Sequence, residues 1–362
     1  MTDYPRRLER LRAAVAAAAA AAPALLVSGT ANVRYLSGFT GSQGALVVDR
    51  KRALLVSDFR YRFQAAEEAP SFEFVEVERW VEGLAGAIRG LGHAAVGFES
   101  AHFTCQAHAK LAAALGDVAL VAVDGLVEKM RAVKDAQELA LIEQAAVVSR
   151  GAVEEVMALI RPGVRERDLA LAAEDYIRKE AGAELAFPPI IASGPRSAQC
   201  HGEPGPRELA VGDLVVIDLG ARWQGYGADI TRTVAVGKAA ERQREIYALC
   251  RRAQQEALGA LRAGMACAEL DGVARAIIEE AGYGAHFGHG LGHGVGLEPH
   301  EAPRVSRTSE DSLATGMTVT VEPGIYLAEV GGVRLEDLVA VTEDGRRVLT
   351  HALPAAELPE VG

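Results

Sequence analysis

The sequence predicts an N-terminal α/β domain followed by an α+β domain built from two copies of one structural unit. Three observations lead to this prediction. The chain has 362 residues, which is long for a single hydrophobic core. Short apolar runs alternate with helical patterns over residues 1–125, and the later part of the chain repeats its own pattern of helices and strands. We therefore expect domains at 1–125 and 135–362, joined by a linker at 126–134.

The N-terminal domain is expected to alternate helices and strands. Helices are predicted near 5–21, 60–68, 79–92 and 104–116. Strands are predicted at Ala24–Ser28, Ala45–Asp49, Ala53–Ser57, Phe72–Val77, Ala95–Glu99 and Val118–Val123. The arginine-rich start of the chain superficially resembles a signal peptide. Because its arginines and leucines fit helical spacing and Glu9 interrupts the basic region, we interpret the segment as an amphipathic helix that breaks at Pro23.

The start of the second domain has a clear helix signal. Asp135 is followed three residues later by Glu138, the pattern of a capping box, so a long helix should begin at Ala136. Near the end of the domain, Asp344 and Gly345 predict the turn of a β-hairpin.

An internal repeat organises the second domain. Residues 212–220 match residues 316–324 position for position, which aligns Asp218 with Glu322. A second pair of matching segments, helical in pattern, precedes these two. The domain is therefore predicted to contain a helix-then-hairpin unit twice, closed around a pseudo-twofold axis that brings the acidic residues of the two copies together.

Five potential metal ligands follow this repeat: Asp218, Asp229, His293, Glu322 and Glu336. Four carboxylates and one imidazole suit two divalent cations that share a site, and such sites activate water for hydrolysis. The repeat also aligns Thr231 with Glu336. Asp229 lies two residues before Thr231, so Asp229 and Glu336 can point to the same side of the strands. Each acid taken alone could be a surface or turn residue. Together, at the ends of apolar strands, they favour a metal site because buried carboxylates must be paired or bind metal.

The segment GHGLGHGVGLEPHEAP, residues 288–303, is followed by TVEPGIY and GVRLED. These motifs resemble the proline-specific branch of the pita-bread metallopeptidases, which includes aminopeptidase P and prolidase. Residues 1–125 are also similar to the N-terminal domain of that branch, at NVRYLSGFTGS and DFRYRFQA. The resemblance implies a pita-bread catalytic domain that hydrolyses the Xaa-Pro bond. Its substrates would be small peptides with proline at the second position.

The resemblance also implies roles for individual residues. His293 would be the histidine ligand, and Glu322 would be both a ligand and the general base. His300 and His201 would stabilise the developing oxyanion and hold the proline carbonyl. The expected substrate-binding positions are His289, Arg304, Tyr326 and Arg334. Two alternatives stay open: His289 is structural, or Arg334 only orients Glu336.

The resemblance implies two divalent ions per chain and favours Mn²⁺, while Co²⁺ and Zn²⁺ remain open because oxygen-rich sites accept several metals. Xaa-Pro aminopeptidase is favoured over Xaa-Pro dipeptidase (prolidase), since no obvious lid is inserted between Arg304 and Ala314. Arg304 could nevertheless pair with the free carboxylate of a dipeptide. A creatinase-like hydrolase and a non-catalytic pita-bread binding protein are disfavoured because all five ligand positions are intact. Methionine aminopeptidase does not suit the 125-residue N-terminal domain.

Composition limits the partners and the compartment. The net charge of −11 disfavours nucleic acid and anionic membranes as partners. The chain has no apolar run of membrane-spanning length. Its four scattered cysteines show no CxxC spacing, which is typical of a reducing cytoplasm. The resemblance further implies a homodimer.

Overall fold

The computed structural model describes residues 3–17, 22–350 and 356–362. The chain divides into two compact units, Met1–Arg131 and Ala132–Gly362. This division falls inside the segment expected to be a linker, 126–134, where the chain forms a short helix. The end of the first predicted helix, residues 18–21, lies outside the described residues.

The N-terminal unit is built on six strands: β1 (Ala24–Val27), β2 (Ala45–Asp49), β3 (Ala53–Ser57), β4 (Glu73–Glu76), β5 (Ala95–Phe98) and β6 (Ala119–Ala122). They form one sheet in the order β4-β3-β2-β1-β5-β6. The helices are α1 (Tyr4–Ala17), α2 (Thr30–Ser37), α3 (Arg62–Glu68), α4 (Trp80–Arg89), α5 (Cys105–Leu115) and α6 (Leu126–Ala132). All six predicted strands are present.

Burial explains this arrangement. Strands β1, β2 and β3 are buried along their whole length, which is why they read as continuous apolar runs. Leu84 and Ile88 of α4, and Leu111 and Leu115 of α5, are spaced four residues apart and pack into the same core. Helix α2 was not predicted. It has only eight residues, and no side chain caps its N-terminus, so its local signal is weak.

The C-terminal unit contains two pairs of helices and several small sheets. The helices are α7 (Ala136–Leu159), α8 (Glu166–Asp175), α9 (Glu241–Ala260) and α10 (Cys267–Glu280). The first strands are β7 (Glu184–Leu185), β8 (Ile190–Ser193), β9 (Leu214–Leu219), β10 (Ala221–Trp223), β11 (Tyr226–Gly227) and β12 (Ile230–Val236). The later strands are β13 (Gly292–Gly294), β14 (Glu301–Val305), β15 (Thr318–Val321), β16 (Gly324–Leu327), β17 (Gly331–Arg334), β18 (Asp337–Thr342), β19 (Gly345–Val348) and β20 (Glu360–Val361).

Local signals in this unit are confirmed. The Asp135 side chain accepts hydrogen bonds from two backbone N–H groups at the start of α7, and Glu138 reaches back to the Asp135 N–H to complete the capping box. The predicted late hairpin joins β18 to β19, but its turn residues are Glu343 and Asp344 and not Asp344 and Gly345, because Gly345 already pairs with Thr342. Within the described ranges, no helix has the combination of length and apolar character needed to cross a bilayer.

The internal repeat is visible in the strand pairing. In the first hairpin, β9 pairs antiparallel with β12, and Ile217 lies opposite Arg232. In the second hairpin, β15 pairs antiparallel with β18, and Val321 lies opposite Asp337. These pairs are equivalent under the sequence alignment of the two copies. The two hairpins therefore have the same register, as a duplicated unit requires.

Each hairpin packs against the helix pair of its own copy. Val215, Ile217 and Leu219 of β9 share a core with α7 and α8, while Val319 and Val321 of β15 share a core with α9 and α10. Because successive side chains on a strand point to opposite faces, Asp218 and Glu322 point away from the helices. The fold thus places the acidic residues of both copies on the faces that the helices leave free.

Candidate metal centre

The strand termini position the candidate ligands. Asp218 is the fifth residue of β9, and Asp229 directly precedes β12. The second copy places its acids similarly, since Glu322 directly follows β15 and Glu336 directly precedes β18. His293 is the middle residue of β13, which pairs with β15. Four short strands therefore bring acids from distant parts of the sequence to one place.

Close packing at β13 depends on glycine. A Cβ atom added to Gly292 would overlap the carbonyl oxygen of Thr320, and one added to Gly294 would overlap that of Ala302. The glycines that flank His293 thus allow neighbouring backbones to approach closely.

The five predicted ligands form two overlapping groups. In the first group, carboxylate oxygens of Asp218, Asp229 and Glu336 lie within 4.8 Å of one another. In the second, donor atoms of His293, Glu322 and Glu336 meet the same limit. Glu336 belongs to both groups and can therefore bridge two ions. A third group joins Asp229, His293 and His300, so distance alone would also allow His300 to act as a ligand.

Three oxygens of this cluster show that its residues fit metal ions. Asp218 Oδ1, Asp229 Oδ1 and Glu336 Oε1 are buried and have no hydrogen-bond partner in the described part of the chain. The three residues are only 8%, 5% and 2% exposed, respectively. A buried carboxylate oxygen without a donor is costly, and a divalent cation removes that cost.

The electrostatics of the cluster agree with this interpretation. Burial, reinforced by the charge of Glu336, raises the pKa of Asp229 well above its ordinary value. Burial, reinforced by the charge of Glu322, likewise raises the pKa of Glu336 well above its ordinary value. Burial also raises the pKa of Asp218. Without cations, these side chains resist ionisation because like charges meet in a buried place.

Glu322 and His293 behave differently because they pair with each other. Their Oε1 and Nε2 atoms are 3.3 Å apart. Although burial opposes both charges, this contact lowers the pKa of Glu322 to about 2 and raises the pKa of His293 to about 9. A ligand imidazole is neutral, so cation binding here would displace the proton of His293.

Two neighbouring residues, Thr231 and Arg334, hold the candidate ligand carboxylates. Thr231 donates a hydrogen bond from Oγ1 to Glu336 Oε2 at 2.7 Å. Arg334 forms a buried ion pair with Asp218 and donates from Nε to Thr231 Oγ1 at 3.2 Å. Arg334 therefore contacts Asp218 directly and reaches Glu336 through Thr231. Under the alternative interpretation, Arg334 orients Glu336. The structure gives Arg334 no hydrogen bond to the Glu336 carboxylate among the described contacts, so any such effect passes through Thr231.

Sequence reasoning missed Arg232. This side chain is 8% exposed and donates to the backbone carbonyls of Thr231 and Glu336 and to the carboxylate of Asp337. It fixes the backbone on both sides of the Thr231–Glu336 contact. A signal was available, because an arginine inside the apolar strand of ITRTVAV must find buried partners.

A cavity of about 980 Å³ opens beside the carboxylates. Its lining includes the predicted residues His201, His289, His300, Arg304 and Arg334. Sequence reasoning did not identify the apolar part of the wall, which is formed by Phe187, Pro188 and Ile190. The cavity thus offers a polar end at the carboxylates and an apolar surface beside it, which suits a small substrate.

Tyr326, a predicted substrate contact, is not among the residues that line this cavity. Its hydroxyl lies 2.9 Å from His289 Nε2 and accepts a hydrogen bond from Arg334 at 3.0 Å. Tyr326 therefore contacts two residues of the cavity wall without lining the cavity itself.

The electrostatic surroundings of two cavity histidines lower their pKa values. Burial lowers the pKa of His289, and burial followed by the charge of His293 lowers the pKa of His300. The neutral forms of both imidazoles are favoured at neutral pH.

Buried carboxylates that each keep one oxygen without a donor, at one end of a cavity that a small molecule can enter, characterise a hydrolytic metalloenzyme more than a structural metal site. The comparisons agree with this class. The model of metallopeptidase family M24 matches residues 140–343, and the model of the creatinase/prolidase N-terminal domain matches residues 7–133. The chain belongs to metallopeptidase family M24 and is a metal-dependent hydrolase.

Individual relatives extend over nearly the whole chain. The chain is 40% identical to the Xaa-Pro dipeptidase of Pyrococcus horikoshii over 332 residues, which cover 90% of this chain and 92% of the relative. It also resembles the solved structure of an Xaa-Pro dipeptidase from Bacillus anthracis, with a TM-score of 0.94, 38% identity, and coverage of 98% of this chain and 99% of that one. An X-Pro aminopeptidase from Thermotoga maritima gives a TM-score of 0.86 and 37% identity, covering 96% and 98% of the two chains. The predicted fold class, an α/β domain followed by a pita-bread catalytic domain, is confirmed.

Proposed function

We propose that this chain is an Xaa-Pro peptidase whose main substrates are Xaa-Pro dipeptides, as for prolidase. Arg304 carries this proposal. Its side chain is exposed, lines the cavity, and forms no hydrogen bond or ion pair with any residue that the structure describes. Arg304 lies opposite His293 in the pairing of β14 with β13. A free arginine next to the metal ligands suits the carboxylate that follows proline in a dipeptide.

The proposed chemistry assigns Asp218, Asp229, His293, Glu322 and Glu336 as ligands of two divalent cations. When bound, such ions activate water and polarise the scissile carbonyl. We assign Glu322 as the general base, because an ionised carboxylate in the cluster can accept a proton. It then returns the proton to the leaving nitrogen. Protonation matters here because the nitrogen of an Xaa-Pro bond carries no N–H.

The cavity histidines stabilise the reacting carbonyl. We assign His300 and His201 as N–H donors to the oxyanion that develops during attack. The lowered pKa of His300 keeps its ring neutral, so it donates a hydrogen bond without adding a charge that would repel the cations. His289 contacts substrate from the same wall, and its ring is held by Tyr326.

The second candidate is the Xaa-Pro aminopeptidase activity that the sequence favoured. It is supported by the Thermotoga maritima relative and by the exposure of Arg304, since an arginine at an open edge leaves room for a longer peptide. The two dipeptidase relatives and the unpaired state of Arg304 lead us to place this activity second.

Mn²⁺ is proposed as the native metal, with Co²⁺ and Zn²⁺ as alternatives. A homodimer and a cytoplasmic location stay predictions.

The test compares kcat/KM for an Xaa-Pro dipeptide with that for the matching Xaa-Pro-Xaa tripeptide. A dipeptidase prefers the dipeptide, and Arg304→Ala should lower that preference about tenfold, as expected for one charge-assisted contact at an exposed site. Arg307→Ala is the matched control, because Arg307 is also exposed but does not line the cavity. A tripeptide preference that survives Arg304→Ala would make the enzyme an aminopeptidase.

A further inference from the structure

A buried carboxylate outside the metal centre organises one wall of the cavity. Glu166, the first residue of α8, is fully buried. Its Oε1 accepts hydrogen bonds from the backbone N–H and the hydroxyl of Ser193, both at 2.8 Å. Its Oε2 accepts from Arg196 Nε at 3.1 Å and from the Gly205 N–H at 2.9 Å. Four donors thus satisfy one charge that would otherwise be costly to bury.

These partners lie on both sides of His201 along the chain. Ser193 ends β8, and Gly205 lies four residues beyond His201. Between them, Arg196 also donates to the backbone carbonyl of Glu203. One carboxylate therefore fixes the beginning, an interior point and the end of the loop of residues 194–205, which carries His201 into the cavity.

The remaining anchors connect this loop to the metal centre. Arg334 donates to the backbone carbonyl of Cys200 at 3.2 Å, directly before His201, and the Gly332 N–H donates to Ser197 Oγ at 2.8 Å. Glu166 holds the loop from the helix side, while Arg334 holds it from the side of the ligands. The backbone at His201 is thus restrained from two directions.

The other copy of the repeat uses a similar arrangement for a different histidine. Asp271 of α10 is fully buried, pairs with Arg275 at 2.7 Å and accepts from the Leu291 N–H. Arg275 donates to the backbone carbonyls of Phe287 and His289. In each copy, the second helix thus supplies a buried carboxylate, and an ion pair with arginine fixes the backbone near a cavity histidine.

We propose that Glu166 is a positioning residue, which acts on catalysis by holding the His201 loop in the geometry that the reaction needs. This inference rests on the proposed function, in which His201 contacts the reacting carbonyl. Positioning errors of about 1 Å far from the reacting atoms can cost up to about a hundredfold in rate. Glu166 makes no contact with the candidate ligands among its hydrogen bonds, so its effect should be separable from metal binding.

The test is a double-mutant cycle on the metal-loaded full chain. Glu166→Gln keeps the size of the side chain but removes its charge, and should lower kcat/KM for an Xaa-Pro dipeptide about tenfold. In the His201→Ala background, the same substitution should change kcat/KM less than about twofold, because the group that it positions is already gone. Metal content should remain that of the parent chain in each background.

Ser149→Ala is the control for general loss of stability. Ser149 is fully buried and bonds to Ala145 and Ala221 in the same unit, but does not line the cavity. Its removal should lower Tm without changing kcat/KM at a temperature where the chain is folded. Equal losses from Glu166→Gln in both backgrounds, or no loss in either, would overturn the positioning role.

The His201→Ala variant alone distinguishes a failure of the proposed role of His201 from a failure of the Glu166 inference. If His201→Ala has the activity of the natural chain, His201 has no catalytic role and the Glu166 inference falls with it. If Glu166→Gln does not fold, Arg196→Gln replaces it, because Arg196 is partly exposed and shares the contact with Glu166. Arg196→Gln should show the same dependence on His201, and independence would reject the proposal.

Discussion

Replacing Thr231 with valine should weaken metal binding while leaving the chain folded. Valine has nearly the same shape but no hydroxyl. The side chain of Thr231 is fully buried, donates to Glu336 Oε2 at 2.7 Å and accepts from Arg334 Nε at 3.2 Å. The substitution therefore removes the one side-chain donor to the Glu336 carboxylate in the described structure, and that carboxylate belongs to both candidate ligand groups.

The magnitude follows from the type of bond that is lost. A hydrogen bond to a charged group contributes about 1.5–3 kcal/mol. Because about 1.4 kcal/mol corresponds to a factor of ten, the metal affinity should fall roughly 10- to 150-fold. Partners that orient metal ligands typically change affinity by about 10–100-fold, which agrees with this range.

The assay is a titration of the metal-free chain with Mn²⁺, followed by calorimetry, together with activity measured at saturating metal. Thr318→Val is the matched control. Thr318 is equally buried and lies in the hairpin of the other copy, on β15, but it donates to the backbone carbonyl of Val295 at 2.6 Å. An unchanged affinity in Thr231→Val, or an equal loss in Thr318→Val, would refute the argument.

Three further substitutions, at two positions, test the assignment of the ligands. Asp229→Ala should lower kcat by about 10³-fold or more with loss of metal, and retained activity at full metal content would reject its ligand role. The pKa of Asp229 is raised in the fold, first by burial and then by the charge of Glu336. The unfolded chain therefore ionises this group more readily than the folded chain, and the metal-free chain loses stability as pH rises above 3.8. Asp229→Asn should therefore raise the Tm of the metal-free chain at pH 7 and lower the gain in Tm on adding metal; a lower metal-free Tm would contradict this reading. His300→Ala should reduce kcat about 10²-fold with metal content unchanged, and loss of metal would instead make His300 a ligand, as its distance to Asp229 and His293 allows.

Much of the fold could be read from local patterns. The strands of the N-terminal unit are short apolar runs bounded by polar residues, and their limits differ from the prediction by no more than one residue at each end. The repeat in the sequence also anticipated the common register of the two hairpins. Helix α2 and the helix in place of the expected linker were missed because short helices carry few periodic positions and owe their stability to packing.

The sequence by itself determined the strand face of Asp218 and Glu322, since strand alternation and the repeat together require both side chains to leave the helix-facing side. Only the tertiary structure decided which groups restrain the side chains of the site. In the folded chain, Tyr326 contacts His289 and Arg334 pairs with Asp218. Glu166 holds a loop whose first contact, Ser193, lies 27 residues further along the chain. Periodicity specifies the face on which a side chain lies. The partner on that face is chosen by the packing of segments that are distant in sequence, and no local pattern encodes it.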